Sequence, residues 1–204
     1  MYKILVLLTL FGAKYVESQE KINIDVFYEA LCPDSFDFVE NQLGPTWNDI
    51  KDYVNLNLVP FGKSAIFNGG TSVQCQHGQR ECEGNRVMSC ALHKIQDPST
   101  AVHFVKCYMN RFIRYARRDR QEFGESCVTK AGLNWNLDVK QCYESQLGTR
   151  LQLNAENQTN TYQPDFIPTI VYNKVFDQGL QDESLYNFKS TACTLIKKQY
   201  PQAC

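Results

Sequence analysis

One stretch limits what this chain can fold into more than any other: Asp25-Val26-Phe27-Tyr28-Glu29-Ala30-Leu31-Cys32-Pro33-Asp34-Ser35-Phe36. Ile22, Ile24, Val26 and Tyr28 recur at period two, the pattern of a half-buried strand. Pro33 suits the first position of a helix, where its missing N–H has no intrahelical partner. Cys32 therefore falls at the helix N-cap, where free backbone N–H groups and the helix dipole favour a thiolate. The expectation is a thiol with a pKa lowered well below the ordinary ~8.5. Three residues on stands Ser35, a hydroxyl where a second thiol would complete a C-x-x-C pair.

Nine cysteines in 204 residues is a high count, and the N-terminus accounts for it. Lys3 precedes an apolar run over residues 4–13, with Val16 and Ser18 at positions suited to a signal-peptidase site. This reads as a secretory signal peptide over residues 1–18, with cleavage after Ser18, or alternatively after Ala13. No other apolar run approaches the ~20 residues of a membrane-spanning helix. A secreted chain makes disulfides the default state of its cysteines. Nine is odd; setting Cys32 aside leaves Cys75, Cys82, Cys90, Cys107, Cys127, Cys142, Cys193 and Cys204, enough for four bridges of unspecified pairing. An odd thiol is also consistent with an intermolecular disulfide. The formal net charge of −1 gives no bulk attraction to nucleic acid or membrane. Asn157-Gln158-Thr159 is a sequon, expected on a loop and open to glycosylation at Asn157.

Taken in order, the pattern predicts a strand over 21–29, a helix from Pro33 interrupted at Gly44-Pro45, and a second strand over 54–61. Strand, helix, strand makes a right-handed βαβ unit with parallel strands. Residues 62–97 carry few large apolar groups and no strong period, so cross-links rather than a core are expected to hold them. Helical spacing returns over 98–118, then around 122–130 and 137–153. A strand over 167–172, a tight turn at Asn173-Lys174, a partner strand starting at Val175-Phe176 and a closing helix over about 182–199 complete the chain. The order βαβ, helical insertion, ββα is that of an α/β thioredoxin-like fold. Its core would lie at about 21–62 and 164–200, and its disulfide-stapled helical insertion at about 63–163, in a single domain over 19–204. In such folds the residue before the third strand is a cis proline packed on the active cysteine, and Pro168 is placed for it.

The segment from Cys75 to Cys90 fits C-Q-H-G-x2-E-C-x2-N-x4-C at all eight specified positions. On that signature the chain resembles the gamma-interferon-inducible lysosomal thiol reductase family, and the likeness extends over nearly the whole mature chain. The resemblance implies a secreted or acidic-compartment protein that reduces substrate disulfides through a C-x-x-C pair, without a cofactor. Cys32 carries over as the attacking thiol; Ser35 departs from the resolving cysteine.

A serine cannot complete the exchange. Cys32 attacks a disulfide and joins the substrate; release then requires an external small thiol, or the substrate's own second thiol, which isomerises rather than reduces. Ser35 can still donate a hydrogen bond to the Cys32 thiolate. Two readings follow: a single-thiol exchange protein acting on disulfide-containing proteins, or a redox-inactive binding protein on the same scaffold that recognises a protein partner. Cys75, His77, Cys82 and Cys90 lack the C-x2-C spacing of a zinc site and read as disulfides with a loop histidine; His77, His93 and His103 read as surface or loop residues. Arg111, Arg114, Arg117, Arg118 and Arg120 read either as a face for anionic glycans or, preferred, as a solvated helix face offset by Asp119, Glu122 and Glu125.

Overall fold

The computed structural model describes residues 20–116 and 124–204. The expected leader, and Arg117, Arg118, Asp119, Arg120 and Glu122, lie outside the described residues. Strand β1 (Ile22–Tyr28) is central, with β2 (Val54–Pro60) parallel on one side and β5 (Thr169–Tyr172) antiparallel on the other. The register runs from Ile22 opposite Val54 to Tyr28 opposite Pro60, and Phe27 lies opposite Thr169. This register brings the end of β1, and so Cys32, beside the start of β5.

The half-buried reading of β1 needs correction: both faces are covered. Ile22, Ile24, Val26 and Tyr28 enter the main core, while Phe27 enters a second cluster with Cys32, Val59, Phe61, Ala155 and Ile167. Asp25 is tolerated on that second face because Lys174 and Asn57 bond its carboxylate, each at 2.7 Å.

Gly44-Pro45 does not interrupt the first helix. Helix α1 (Pro33–Asp37) passes through a π-helical turn (Phe38–Leu43) into α2 (Gly44–Ile50), and the Gly44 N–H donates to the Val39 carbonyl, five residues back. A proline inside an α-helix clashes with the carbonyl four residues before it; the wider turn directly before Pro45 changes that geometry.

The expectation that residues 62–97 lack a core also fails. A short hairpin, β3 (Ala65–Phe67) and β4 (Ser72–Gln74), leads to helix α3 (Gln79–Lys94), a sixteen-residue helix with Val87, Met88, Cys90 and Ala91 fully buried. Its buried face is rich in small and polar residues, which is why no apolar period marked it. Helices α4 (Pro98–Ala116), α5 (Glu125–Lys130), α6 (Gln141–Glu144) and α7 (Gln146–Asn160) follow, with a π-helical turn (Trp135–Lys140) before α6. The inserted helices share one core with the sheet: Val87, Val105 and Val128 belong to the same cluster as Ile24.

Four disulfides pair Cys75 with Cys82, Cys90 with Cys142, Cys107 with Cys127 and Cys193 with Cys204. They account for the eight cysteines left when Cys32 is set aside. Asn157 is exposed but on the last turns of α7, not on a loop, and Thr159 of its sequon is buried with its hydroxyl donating to the Ala155 carbonyl at 2.8 Å. The partner strand at Val175-Phe176 is absent among the described residues. Asn173 and Lys174 both take positive φ, Val175 makes one bridge to Tyr172, and Asp177 then caps α8 (Gln178–Lys197) through Leu180 N–H.

Candidate active site

Cys32 caps α1 from extended backbone, with φ −65° and ψ 120°. Its sulfur accepts the Ser35 N–H at 3.4 Å, and its thiol donates to the Ile167 carbonyl at 3.5 Å. The Ile167–Pro168 peptide bond is cis. The three residues singled out in the sequence, Cys32, Ser35 and Pro168, therefore meet at one place across more than 130 positions of chain. Ser35 is fully buried and its hydroxyl accepts the Glu29 N–H at 3.3 Å. Asp34, between them, is exposed.

The expected lowering of the thiol pKa does not occur. Cys32 is 5 % exposed, and burial pushes its thiol up from the ordinary value. The Ser35 hydroxyl and amide pull it down through hydrogen bonds, the Glu29 charge pushes it up, and the Asp34 amide pulls it down. N-terminal helix placement is present, but desolvation of the charged sulfur outweighs it.

The turn from Glu29 to Leu31 is held from α3. Asn85 accepts the Ala30 N–H at 2.9 Å and Glu81 accepts the Leu31 N–H at 3.3 Å. Asn85 in turn donates to the Ser64 hydroxyl at 3.4 Å. The backbones come close: a Cβ at Gly84 would stand 2.6 Å from Ala30 Cβ and 2.6 Å from the Phe112 ring. The same crowding recurs at Gly62, whose φ is 58° and where a Cβ would meet Glu29 Cγ at 2.3 Å. Two specified positions of the signature now have a physical role: Glu81 and Asn85, one turn apart on α3, present acceptors to successive amides of the active-site turn.

Beside the thiol, Glu29 and Glu81 are buried carboxylates, with His77 between them. His77 Nδ1 lies 2.6 Å from Glu81 Oε2 and 3.5 Å from Glu29 Oε2, and the His77 N–H donates to Glu81 Oε1 at 2.9 Å. Glu29 Oε1 accepts the Lys63 N–H at 2.6 Å. The Glu29 carboxyl is pushed up to about 7, first by burial and then by the Glu81 charge, with the Lys63 amide, His77 and the Lys63 charge opposing. His77, His93 and His103 are all exposed as expected, but His77 is also paired with two buried carboxylates. Glu29 carried no motif of its own; the spacing of His77, Glu81 and Asn85, each four apart, was the readable sign of residues brought to one face, Glu81 and Asn85 on α3 and His77 just before it. Cys75 and Cys82 pin that face through their disulfide.

A groove of about 500 Å3 runs along the exposed side, lined by Leu31, Pro33, Phe36, His77, Ile113 and Arg114. Arg111 and Arg114 of the arginine series both lie on α4.

Residues 23–131 match the family model described as gamma interferon inducible lysosomal thiol reductase. The chain is 32 % identical to GILT-like protein 1 of Drosophila melanogaster, over 92 % of this chain and 80 % of that one. It is 31 % identical to the gamma-interferon-inducible lysosomal thiol reductase-like protein of Anopheles gambiae, over 100 % and 88 %. Among solved structures, Pseudomonas aeruginosa DsbA aligns with a TM-score of 0.59 at 15 % identity, covering 91 % of this chain and 88 % of that one. Xylella fastidiosa DsbA aligns with a TM-score of 0.57 at 15 % identity, over 89 % and 87 %. At such identities the structural likeness speaks for the fold, which is thioredoxin-like. With the signature helix gripping the turn of Cys32 and relatives matching along the whole chain, this protein belongs to the gamma-interferon-inducible lysosomal thiol reductase family.

Proposed function

We propose that the protein exchanges thiols and disulfides through Cys32 alone. The observation that carries this reading is the placement of Cys32 at the helix start, its sulfur accepting the Ser35 N–H and its thiol donating to the Ile167 carbonyl, while every other cysteine is in a disulfide. The Cys32 thiolate attacks one sulfur of a substrate disulfide, forming a Cys32–substrate disulfide and releasing the other sulfur as a thiolate. A neighbouring thiol would then attack Cys32 at high effective concentration; Ser35 cannot. Release falls to an external small thiol, or to the substrate's own freed thiol, which gives a rearranged substrate disulfide. Net reductase turnover is accordingly weak.

The partners are disulfide-containing proteins, met in a secretory or lysosomal compartment. The apolar run over residues 4–13 and the four bridges support that location, and no helix among the described residues is long and apolar enough to cross a membrane. A second reading, a binding protein without redox turnover, is favoured by one observation: the thiol is 5 % exposed and its proton faces the Ile167 carbonyl.

Reduction of a protein disulfide such as insulin's distinguishes them. Wild type is expected to trap substrate through Cys32 and to turn over little without added thiol. Trapping disappears in Cys32→Ser and reverses in excess thiol, and Ser35→Cys gains turnover. Wild type as active as Ser35→Cys rejects the single-thiol mechanism; neither trapping nor reduction in either protein leaves the binding reading.

A further inference from the structure

We propose that Glu29, His77 and Glu81 form a binding site for a divalent transition-metal ion, with Zn2+ as the natural probe, at the base of the Cys32 turn. The proposal is independent of whether Cys32 turns over. One donor atom from each residue lies within 4.8 Å of the other two. Donors sharing one tetrahedral zinc ion at ~2.1 Å stand about 3.4 Å apart. Glu29 Oε2 and His77 Nδ1, at 3.5 Å, already have that separation. His77 Nδ1 and Glu81 Oε2, at 2.6 Å, are joined by a hydrogen bond and open by less than ~1 Å when an ion replaces the shared proton. His77 is the side chain able to make that movement, since it is 32 % exposed and precedes α3.

A second observation points to a ligand. Glu29 Oε2 is buried and has no hydrogen-bond partner, while its sister oxygen is fixed by the Lys63 N–H. A buried carboxylate oxygen without a donor is costly, and this one is aimed at His77. The other carboxylate is oriented, as metal-binding carboxylates are, by further hydrogen bonds, here from the backbone amides of Leu31 and His77. Two carboxylates and one imidazole suit a borderline cation, and the imidazole selects against calcium and magnesium. Three protein donors leave a fourth position for water, and the partial exposure of His77 gives the ion a way in.

The test is calorimetric titration of chelator-treated protein with Zn2+ at pH 8, since metal binding competes with protons for its donors. One ion per chain is expected, bound at low micromolar dissociation constant or tighter. Glu29→Gln and His77→Ala should each weaken it at least tenfold, while His93→Ala and Cys32→Ser should not. X-ray absorption at the zinc edge should show oxygen and nitrogen neighbours only. Absence of a 1:1 complex, unchanged affinity in both Glu29→Gln and His77→Ala, or sulfur in the zinc shell would each overturn the proposal. Should Glu29→Gln fail to fold, the His77→Ala titration and the absorption spectrum decide alone.

Discussion

The thiol of Cys32 is governed by its immediate neighbours more than by its place at a helix start. Burial raises its pKa and the Glu29 charge adds to the rise. Glu29→Gln keeps the shape and removes the charge, so Cys32 should alkylate faster at pH 7.5, by about threefold to tenfold, since one pKa unit is a factor of ten in thiolate. Iodoacetamide rates on the two proteins measure this, and an unchanged rate would count against the coupling. Glu29 also ties stability to pH. Its folded carboxyl is raised to about 7, so between the unfolded carboxylate range and pH 7 the folded state holds a proton that the unfolded chain has released. That contribution is full at low pH and is lost as pH rises through 7. Metal-free protein should melt at a higher temperature at pH 5 than at pH 8, and Glu29→Gln should flatten the difference. Cys32, Ser35 and Pro168 were legible because local rules mark each: a strand end, a helix start, a proline before a strand. Glu29 was not, because its chemistry comes from α3, fifty residues away, and the thiol's burial comes from Ile167, whose carbonyl no local pattern announces.

Among the elements, α3 is the one the rest of the site depends on. Asn85 is fully buried and satisfies the Ala30 N–H. Asn85→Ala should cost about 1–3 kcal/mol in urea unfolding, the penalty for a buried amide left without its acceptor. Asn85→Asp keeps an acceptor for Ala30, so it should recover part of that loss at acidic pH, where its carboxyl is neutral. Helix α3 escaped the sequence reading because its inward face carries Glu81, Gly84, Asn85 and Ser89, residues that hold a turn and admit close approach but show no apolar stripe. Helix α4 was legible for the opposite reason, with Val102, Val105, Met109 and Phe112 at helical spacing and buried. The strand expected at Val175 failed because two left-handed residues reverse the chain and Asp177 starts α8 before a ladder can form.

Over the whole molecule three of the four bridges lie within the inserted region, and the fourth ties α8 to Cys204. Cys90–Cys142 spans 52 residues and joins α3 to α6, whereas Cys75–Cys82 spans 7. In the chain-entropy picture these contribute about 4 and about 2 kcal/mol. Replacing Cys90 and Cys142 together by alanine should therefore lower the unfolding free energy more than replacing Cys75 and Cys82, as read by denaturant titration. A thiol label on the native protein should mark Cys32 alone; label elsewhere would contradict the pairing. The thioredoxin-like order of strands and helices was readable because periodicity and chain order constrain topology. The pairing of eight cysteines was not, since it depends on which helices the core brings together.

The wide turn between α1 and α2 has a consequence for how tightly the length of this helix is constrained. Each residue of a regular helix advances about 100°, which would turn Phe38 and Leu43, five apart, away from one another. The π-helical segment spends an additional residue on its turn, and both side chains are buried. The helix is thus two rotational phases in series: the first aims the Cys32 sulfur and the Ser35 hydroxyl, and the second aims Trp47 and Ile50 into the core. Deleting one residue between Phe38 and Leu43 would leave either half locally sound and rotate one against the other. The sulfur and the tryptophan could then no longer both face their places, so this stretch should accept substitutions far more readily than changes of length.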